Sequence, residues 1–218
     1  MKKLIVFISV CLFASSIVAQ EAPYWKEVQE FKELDSLQKP PAQPILFIGS
    51  SSFTMWKEVN ADFPGYTILN RAFGGSSLTD LIFYKKDIID KYKPKQIVMY
   101  CGENDFAASD TVTVPMVMNR FKTLFSYIQS QYKNIPFVYV SMKPSPSRFK
   151  LMPKYTEANR LIQTYLKKFK NTVFVDLYHS MLNADGSPRT DIFLEDNLHM
   201  NRTGYAIWQK ALAPYLKK

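Results

Sequence analysis

Short apolar runs recur along the chain at residues 45–48, 67–69, 96–100, 136–140 and 172–175. Between them lie stretches with helical spacing. The clearest sets Phe121, Leu124, Phe125 and Ile128 on one face. Another carries Leu161, Tyr165 and Phe169 and begins at Pro153, a residue suited to a first helical turn. A last helical stretch covers residues 203–216. Ahead of the first run, residues 24–37 read as a charged amphipathic helix, with Trp25, Val28, Phe31 and Leu34 at three-residue steps, which the Lys39-Pro40-Pro41-Ala42-Gln43-Pro44 segment breaks. Strands that alternate with helices, and that are too apolar to keep a wet face, predict a parallel sheet covered on both sides. Five such strands predict one doubly wound α/β domain, with no internal repeat and no second domain. In open sheets of this kind ligands bind beyond the carboxyl ends of the strands, where the strand order reverses.

The first residues change the picture of where this domain works. MKKLIVFISVCLFASSIVAQ runs from Lys2 and Lys3 through an apolar stretch to Ala19. That pattern predicts a secretory signal peptide over residues 1–19, too short and wrongly flanked for a membrane span. Cys11 follows Val10 rather than a small residue, which argues against lipoprotein processing. The mature chain then holds residues 20–44, an N-terminal helix with a proline-rich linker, and a domain over residues 45–218. It is expected in the periplasm or outside the cell, with no membrane span. One cysteine, Cys101, remains after cleavage, so no internal disulfide is expected, and a chain of this length needs none. The formal charge of +9 drops to +7 once Lys2 and Lys3 leave. The lysines are scattered along helix-like stretches without interleaved aromatics, a solvated face rather than a nucleic-acid surface.

The candidate chemistry stands where the strands end. Gly49-Ser50-Ser51-Ser52 follows the first strand, Asn70-Arg71-Ala72-Phe73-Gly74-Gly75-Ser76 the second, and Cys101-Gly102-Glu103-Asn104-Asp105 the third. Asp196-Asn197-Leu198-His199-Met200-Asn201 comes just ahead of the last helix. Each turn alone is a weak signal, but four polar turns at one sheet edge form a set.

These residues resemble the SGNH (GDSL-type) hydrolase family, over essentially the whole mature chain. Within it, the GSSS, NRAFGGSS, GEND and DNLHMN wording is similar to the platelet-activating-factor-acetylhydrolase-like and carbohydrate-acetylesterase branches. The resemblance implies a flavodoxin-like three-layer α/β/α sandwich around a five-stranded parallel sheet, in line with the pattern above. It also implies a serine esterase or acylhydrolase whose four named residues fall on Ser51, Gly75, Asn104 and His199. The chemistry makes sense of each. A serine hydroxyl needs a base to take its proton, imidazole suits that task, and an acid fixes the imidazole. Ser51, Asp196 and His199 are therefore expected to form the triad. The N–H groups of Ser51 and Gly75 and the Asn104 amide are expected to form the oxyanion hole, where each donor contributes about 3 kcal/mol. The chain departs from the family pattern at Ser50, which stands for an aspartate, and at Ser52, which stands for a leucine. Ser50 is expected to support the turn by local hydrogen bonds.

Only two histidines occur, and both sit in Asp-x-x-His: Asp176 to His179, and Asp196 to His199. Spacing does not separate them. Position does, because Asp176 closes the fifth strand and caps what reads as a short helical turn. His199 lies in a polar loop before the last helix, as in the family's last block. His179 is expected at the surface or in packing. Two histidines and one cysteine supply no convincing metal site, and the Gly74-Gly75 pair lacks the ending of a phosphate-binding loop, so no metal or cofactor is expected. Asp105 is expected to tie down the loop around Asn104 rather than to pair chemically with Glu103. Phe53, Trp56 and Phe106 are either substrate-side aromatics or the buried faces of their helices. Arg148, in the proline-stiffened loop at 143–150, meets either a substrate group or solvent. The expected reaction removes a short acyl group, acetyl by resemblance, from a carbohydrate or related small ester. A lysophospholipase or thioesterase activity, or a glycan-binding module without catalysis, are the competing readings. Oligomeric state is not legible.

Overall fold

The computed structural model describes residues 21–218. The segment read as a signal peptide, with Cys11, lies outside the described residues. Five parallel strands form one sheet: β1 (Ile45–Gly49), β2 (Ile68–Asn70), β3 (Gln96–Tyr100), β4 (Phe137–Val140) and β5 (Thr172–Val175), in the order β2-β1-β3-β4-β5. Each lies within one residue of its predicted run. The helices are α1 (Trp25–Leu37), α2 (Ser51–Thr54), α3 (Val59–Asp62), α4 (Leu78–Phe83), α5 (Glu103–Ala108), α6 (Val114–Gln131), α7 (Met152–Leu166) and α8 (Arg202–Leu212).

Alternation along β1 builds both cores. Leu46 and Ile48 face a cluster holding Val28 of α1 and the apolar stripes of α4, α6 and α7. Ile45 and Phe47 face the opposite cluster, with Phe53 of α2, Trp56 of the link after it, Val59 of α3, and Tyr205, Trp208 and Leu212 of α8. Every residue of β1, β3 and β4 is buried, as a sheet covered on both faces requires. Phe53, Trp56 and Phe106 are buried to within 1 % and belong to these cores, not to the substrate side.

The α7 stripe stops short of its pattern, since the helix ends at Leu166 and Phe169 lies beyond it. Two other helices differ from their patterns for physical reasons. The α1 stripe steps by three residues, which falls about 60° short of a full helical turn at each step, so its ends swing off the core. Val28 is buried, whereas Trp25 and Leu34 are exposed. The last helix stops at Leu212, and Ala213–Tyr215 tightens to a 3₁₀ turn, because Pro214 cannot continue the hydrogen-bond ladder.

The order reverses between β1 and β3, which places the turns after these two strands at the switch point. The parallel ladder runs one residue past β1, with the Ser50 N–H donating to the Tyr100 carbonyl at 3.1 Å. Gly49 makes this approach possible. At φ +143° a Cβ on it would stand 1.9 Å from the Tyr100 carbonyl oxygen. The Gly49 carbonyl accepts from the Phe73 N–H and the Ser76 hydroxyl, both at 3.0 Å, which pulls the loop after β2 onto the same edge. Gly49→Ala is expected to cost about 3 kcal/mol or more, the upper range for forcing atoms into a packed site, read from the urea midpoint by circular dichroism. A loss below about 1 kcal/mol would show that β1 can slide against β3.

Candidate active site

Ser50 caps the short helix α2 through its backbone, its carbonyl accepting from Phe53 and Thr54 N–H, and Ser51 is the first helical residue. The expected side-chain support from Ser50 is not found: its hydroxyl makes no capping hydrogen bond. The turn is instead held by strand pairing beneath it and by α8 beside it. The Tyr205 hydroxyl donates to the Ser52 carbonyl at 3.0 Å, and the Tyr205 ring stacks on Trp56 at 5.1 Å between centroids. Asp62 of α3 accepts from the Trp56 indole at 2.6 Å and from the Arg202 guanidinium at 2.5 Å, locking α8 to the segment that follows Ser51.

His199 lies two residues before Asn201, whose side chain caps α8 by accepting from Thr203 and Gly204 N–H at 2.9 and 3.2 Å. The same helix therefore braces Ser51 and positions the loop that carries His199. The structure brings Ser51, His199 and Asp196 together across 148 positions of sequence. Ser51 Oγ lies 3.0 Å from His199 Nε2, and His199 Nδ1 lies 2.5 Å from Asp196 Oδ2. Asp196 Oδ1 accepts from the backbone N–H of Leu198 and His199, each at 2.9 Å. Partial burial would push the Asp196 carboxyl up. The N–H and imidazole of His199 and the N–H of Leu198 outweigh it and hold the group at about 2.

His179 and Asp176 form nearly the same pair, with Nδ1 2.6 Å from Oδ2 and Asp176 Oδ1 accepting from Tyr178 N–H at 2.8 Å. Its imidazole is 76 % exposed, against 22 % for His199, and no hydroxyl faces its Nε2 among the described residues. Local geometry does not distinguish the two histidines. Ser51 does.

Gly75 sits at φ +78°, a conformation that glycine adopts at no steric cost. Its carbonyl accepts from the Tyr24 hydroxyl at 3.0 Å. Asn104, in the first turn of α5, donates one N–H to the Ser76 carbonyl at 3.0 Å, which ties the third turn to the second. Asp105 accepts from Leu78 N–H and from Arg120, both at 2.8 Å, so it anchors α5 to α4 and α6. Among the described residues, the Ser51 and Gly75 N–H groups have no protein acceptor.

Three partners of this site were not singled out from the sequence. Tyr24 lies 51 positions before Gly75, and nothing in its local pattern marks it. Tyr100 and Lys143 look like an ordinary strand residue and an ordinary loop lysine. Lys143 is nonetheless buried, and its ammonium reaches the Glu103 carboxylate at 3.1 Å and the Tyr100 hydroxyl at 3.2 Å. Arg148 is not simply solvated: its guanidinium contacts Asn104 and Glu103, and its side chain also lines a cleft with Ala107, Phe149 and Leu151. Its loop is clamped to the His199 loop by Ser147, whose N–H and hydroxyl both donate to the Asn197 carbonyl at 3.1 and 2.9 Å. Among the described residues no group of three or more His, Cys, Asp or Glu side chains could hold a metal ion, and no helix is long and apolar enough to cross a membrane.

The profile of the GDSL-like lipase/acylhydrolase family matches residues 49–207. No curated protein matches the chain. A solved structure from Streptococcus pneumoniae, named after platelet-activating factor, is similar at TM-score 0.76 and 20 % identity, over 88 % of this chain and 92 % of that one. A GDSL-like lipase from Bacteroides thetaiotaomicron is similar at TM-score 0.73 and 17 % identity, over 86 % and 95 %. A variant of an acetyl-xylooligosaccharide esterase from Geobacillus is similar at TM-score 0.63 and 14 % identity, over 82 % and 96 %. At these identities the likeness is one of fold.

In a carboxyl-carbon NMR titration, Asp196 is expected to have its midpoint near 2. Its folded value lies below the ordinary value of about 3.9, so the stability it contributes is present above roughly pH 4 and is lost as pH falls through about 2. Removing the imidazole in His199→Ala is expected to move the midpoint up toward the ordinary value. An unchanged midpoint would show that the backbone N–H groups alone set it.

Proposed function

The chain belongs to the GDSL-like lipase/acylhydrolase family and is an ester-hydrolysing enzyme, and we propose that it works through a Ser51-His199-Asp196 triad on short acyl esters of carbohydrates or related alcohols. The observation that carries this reading is the Ser51 Oγ to His199 Nε2 contact of 3.0 Å, continued by the 2.5 Å contact from Nδ1 to Asp196. An ionised Asp196 is an acceptor only, so it holds the proton on Nδ1 and leaves the Nε2 lone pair facing the Ser51 hydroxyl.

In the reaction, Ser51 Oγ bonds to the ester carbonyl carbon while its proton passes to Nε2. The carbonyl oxygen becomes an oxyanion that accepts from the N–H groups of Ser51 and Gly75 and from Asn104 Nδ2. Collapse of the tetrahedral intermediate breaks the bond to the alcohol, which leaves with the proton from Nε2. Water then attacks the acyl group, gives its proton to Nε2, and the acid departs as Ser51 recovers its proton.

The preference for a short acyl group draws support from the packing of Phe53, Trp56 and Phe106. These aromatics, which follow the catalytic turns in sequence, lie in the core, which leaves none of them to line a channel for a long chain. A cleft of about 560 Å³ lined by Ala107, Arg148, Phe149 and Leu151 opens beside α5, and Phe149 is 59 % exposed there. The cleft reaches the site through Arg148, whose guanidinium contacts Asn104, and its exposed aromatic face beside polar groups suits a sugar ring. The same reading puts the enzyme outside the cytoplasm, on the pattern of residues 1–19.

A fluorophosphonate is expected to label Ser51 in the folded protein, seen as an adduct by tandem mass spectrometry, and not to label Ser51→Ala. His199→Ala is expected to lower kcat by about 10⁴-fold or more, while His179→Ala keeps nearly full turnover. The reverse pattern would move the triad to Asp176 and His179. With p-nitrophenyl acetate and p-nitrophenyl palmitate as substrates, kcat/KM is expected to be higher for the acetate. Saturation kinetics on the palmitate alone would replace the short-acyl reading with a lipase one.

A further inference from the structure

The side chain of Asn104 has four hydrogen-bonding positions, and they are not shared out symmetrically. Its Oδ1 accepts from the Arg148 guanidinium at 2.7 Å. One Nδ2 proton goes to the Ser76 carbonyl at 3.0 Å. That leaves one Nδ2 proton for another acceptor. The two partners also fix which way the amide faces. Arg148 has no acceptor and the Ser76 carbonyl has no donor, so a flipped amide would set its NH₂ against the guanidinium and its oxygen against a carbonyl oxygen.

Arg148 is itself held from behind. Its guanidinium lies 3.5 Å from Glu103 Oε2. Glu103 is buried, and accepts from the Tyr100 hydroxyl, from Lys143 N–H at 2.8 Å and from Lys143 Nζ at 3.1 Å. Burial alone would push its carboxyl up, but the charges of Lys143 and Arg148 and the Tyr100 hydroxyl hold it below the ordinary value. Glu103 precedes Asn104 in the chain, so one carboxylate anchors both the backbone of the turn and the cation that faces its side chain.

We infer that Arg148 is a positioning residue for the oxyanion hole. Anchored by Glu103, it locks the Asn104 carboxamide so that a single Nδ2 proton is presented to the developing oxyanion. The hydrogen bond it gives to Oδ1 comes from a charged donor. It therefore draws electron density from the amide and strengthens the N–H on the other side, as in other polarised chains of hydrogen bonds. Arg148 touches no reacting atom. Its effect falls on the transition state, where the oxyanion exists, and not on the ground-state ester.

The inference rests on the Ser51 triad proposed above, and a double-mutant cycle on p-nitrophenyl acetate, with Ser51→Ala beside it, separates the two. Asn104→Ala is expected to lower kcat by about 10²- to 10³-fold. Arg148→Met is expected to lower kcat by roughly 10- to 100-fold with KM within about two-fold. In the double variant the Arg148 loss is expected to vanish, because the group it acts through is gone. Arg148→Lys, which keeps a cation against Glu103 and Asn104, is expected to recover part of the rate, and it is read in the same cycle should Arg148→Met fail to fold. Losses that multiply in the double variant would overturn the inference, as would a change confined to KM, which would make Arg148 a substrate-binding group. A Ser51→Ala protein that keeps full turnover would overturn the Ser51 triad itself. An inactive Ser51→Ala beside multiplying losses would overturn only the role of Arg148.

Discussion

The site hangs on one close approach, that of the Gly49 backbone to the carbonyl of Tyr100. A parallel sheet brings β1 and β3 side by side, but ordinary strand pairing would leave the turns beyond them free to splay. Here the Ser50 N–H reaches the Tyr100 carbonyl and extends the ladder into the turn itself. The residue before it has no room for a side chain. Ser51 follows by one residue, and Glu103 and Asn104 stand three and four residues beyond Tyr100 in the other strand. Their relative placement is thus set by backbone geometry shared with the core, not by flexible loops. The Ser76 hydroxyl, bonded to the Gly49 carbonyl, brings the Gly75 turn into the same frame.

Above this frame the braces are polar and buried, which has a cost. Glu103 and Lys143 lose their hydration, a penalty of several kcal/mol for each ion, and the pair repays it only through saturated hydrogen bonding. Glu103 uses both oxygens, on Tyr100 and on two groups of Lys143. A well-packed apolar pair would stabilise the fold as well or better. What the charged arrangement adds is direction: it fixes a cation, Arg148, against the amide of Asn104. The opposite layer contributes through α8. Its first residue, Arg202, pairs with Asp62, and its Tyr205 holds the Ser52 carbonyl, so the helix after the His199 loop also braces the Ser51 turn.

The fold was legible because each of its determinants is periodic and local. The apolar runs give five strands to within a residue, and Phe121, Leu124, Phe125 and Ile128 of α6 are all fully buried, as their spacing predicts. Where a pattern departed from helical geometry, as in the three-residue steps of α1, it misjudged which side chains are covered. The residues at the strand ends were legible for a different reason: a parallel sheet collects the turns after its strands at one edge, so polar turns far apart in sequence must meet. The long-range partners were not legible. Tyr24, Lys143 and Arg148 act through side chains that cross 51, 40 and 44 positions to their partners, and no periodicity encodes such contacts. Ser50 shows the same limit, since a serine in a turn suggests a capping hydroxyl and the turn here is held by its backbone.

The two Asp-x-x-His segments make the distinction between local and global most plainly. In each, the aspartate accepts backbone N–H groups two and three residues on and turns its second oxygen to the histidine Nδ1. The motif is a self-contained turn, and it orients an imidazole wherever it occurs. Orientation by itself performs no chemistry. At His179 the ring points outward from the end of the edge strand β5, and at His199 the following helix packs against α2 and carries the ring to Ser51. The same four-residue turn is thus a surface cap in one place and in the other sets an imidazole against the Ser51 hydroxyl, and what decides between them is the packing of α8, not the motif.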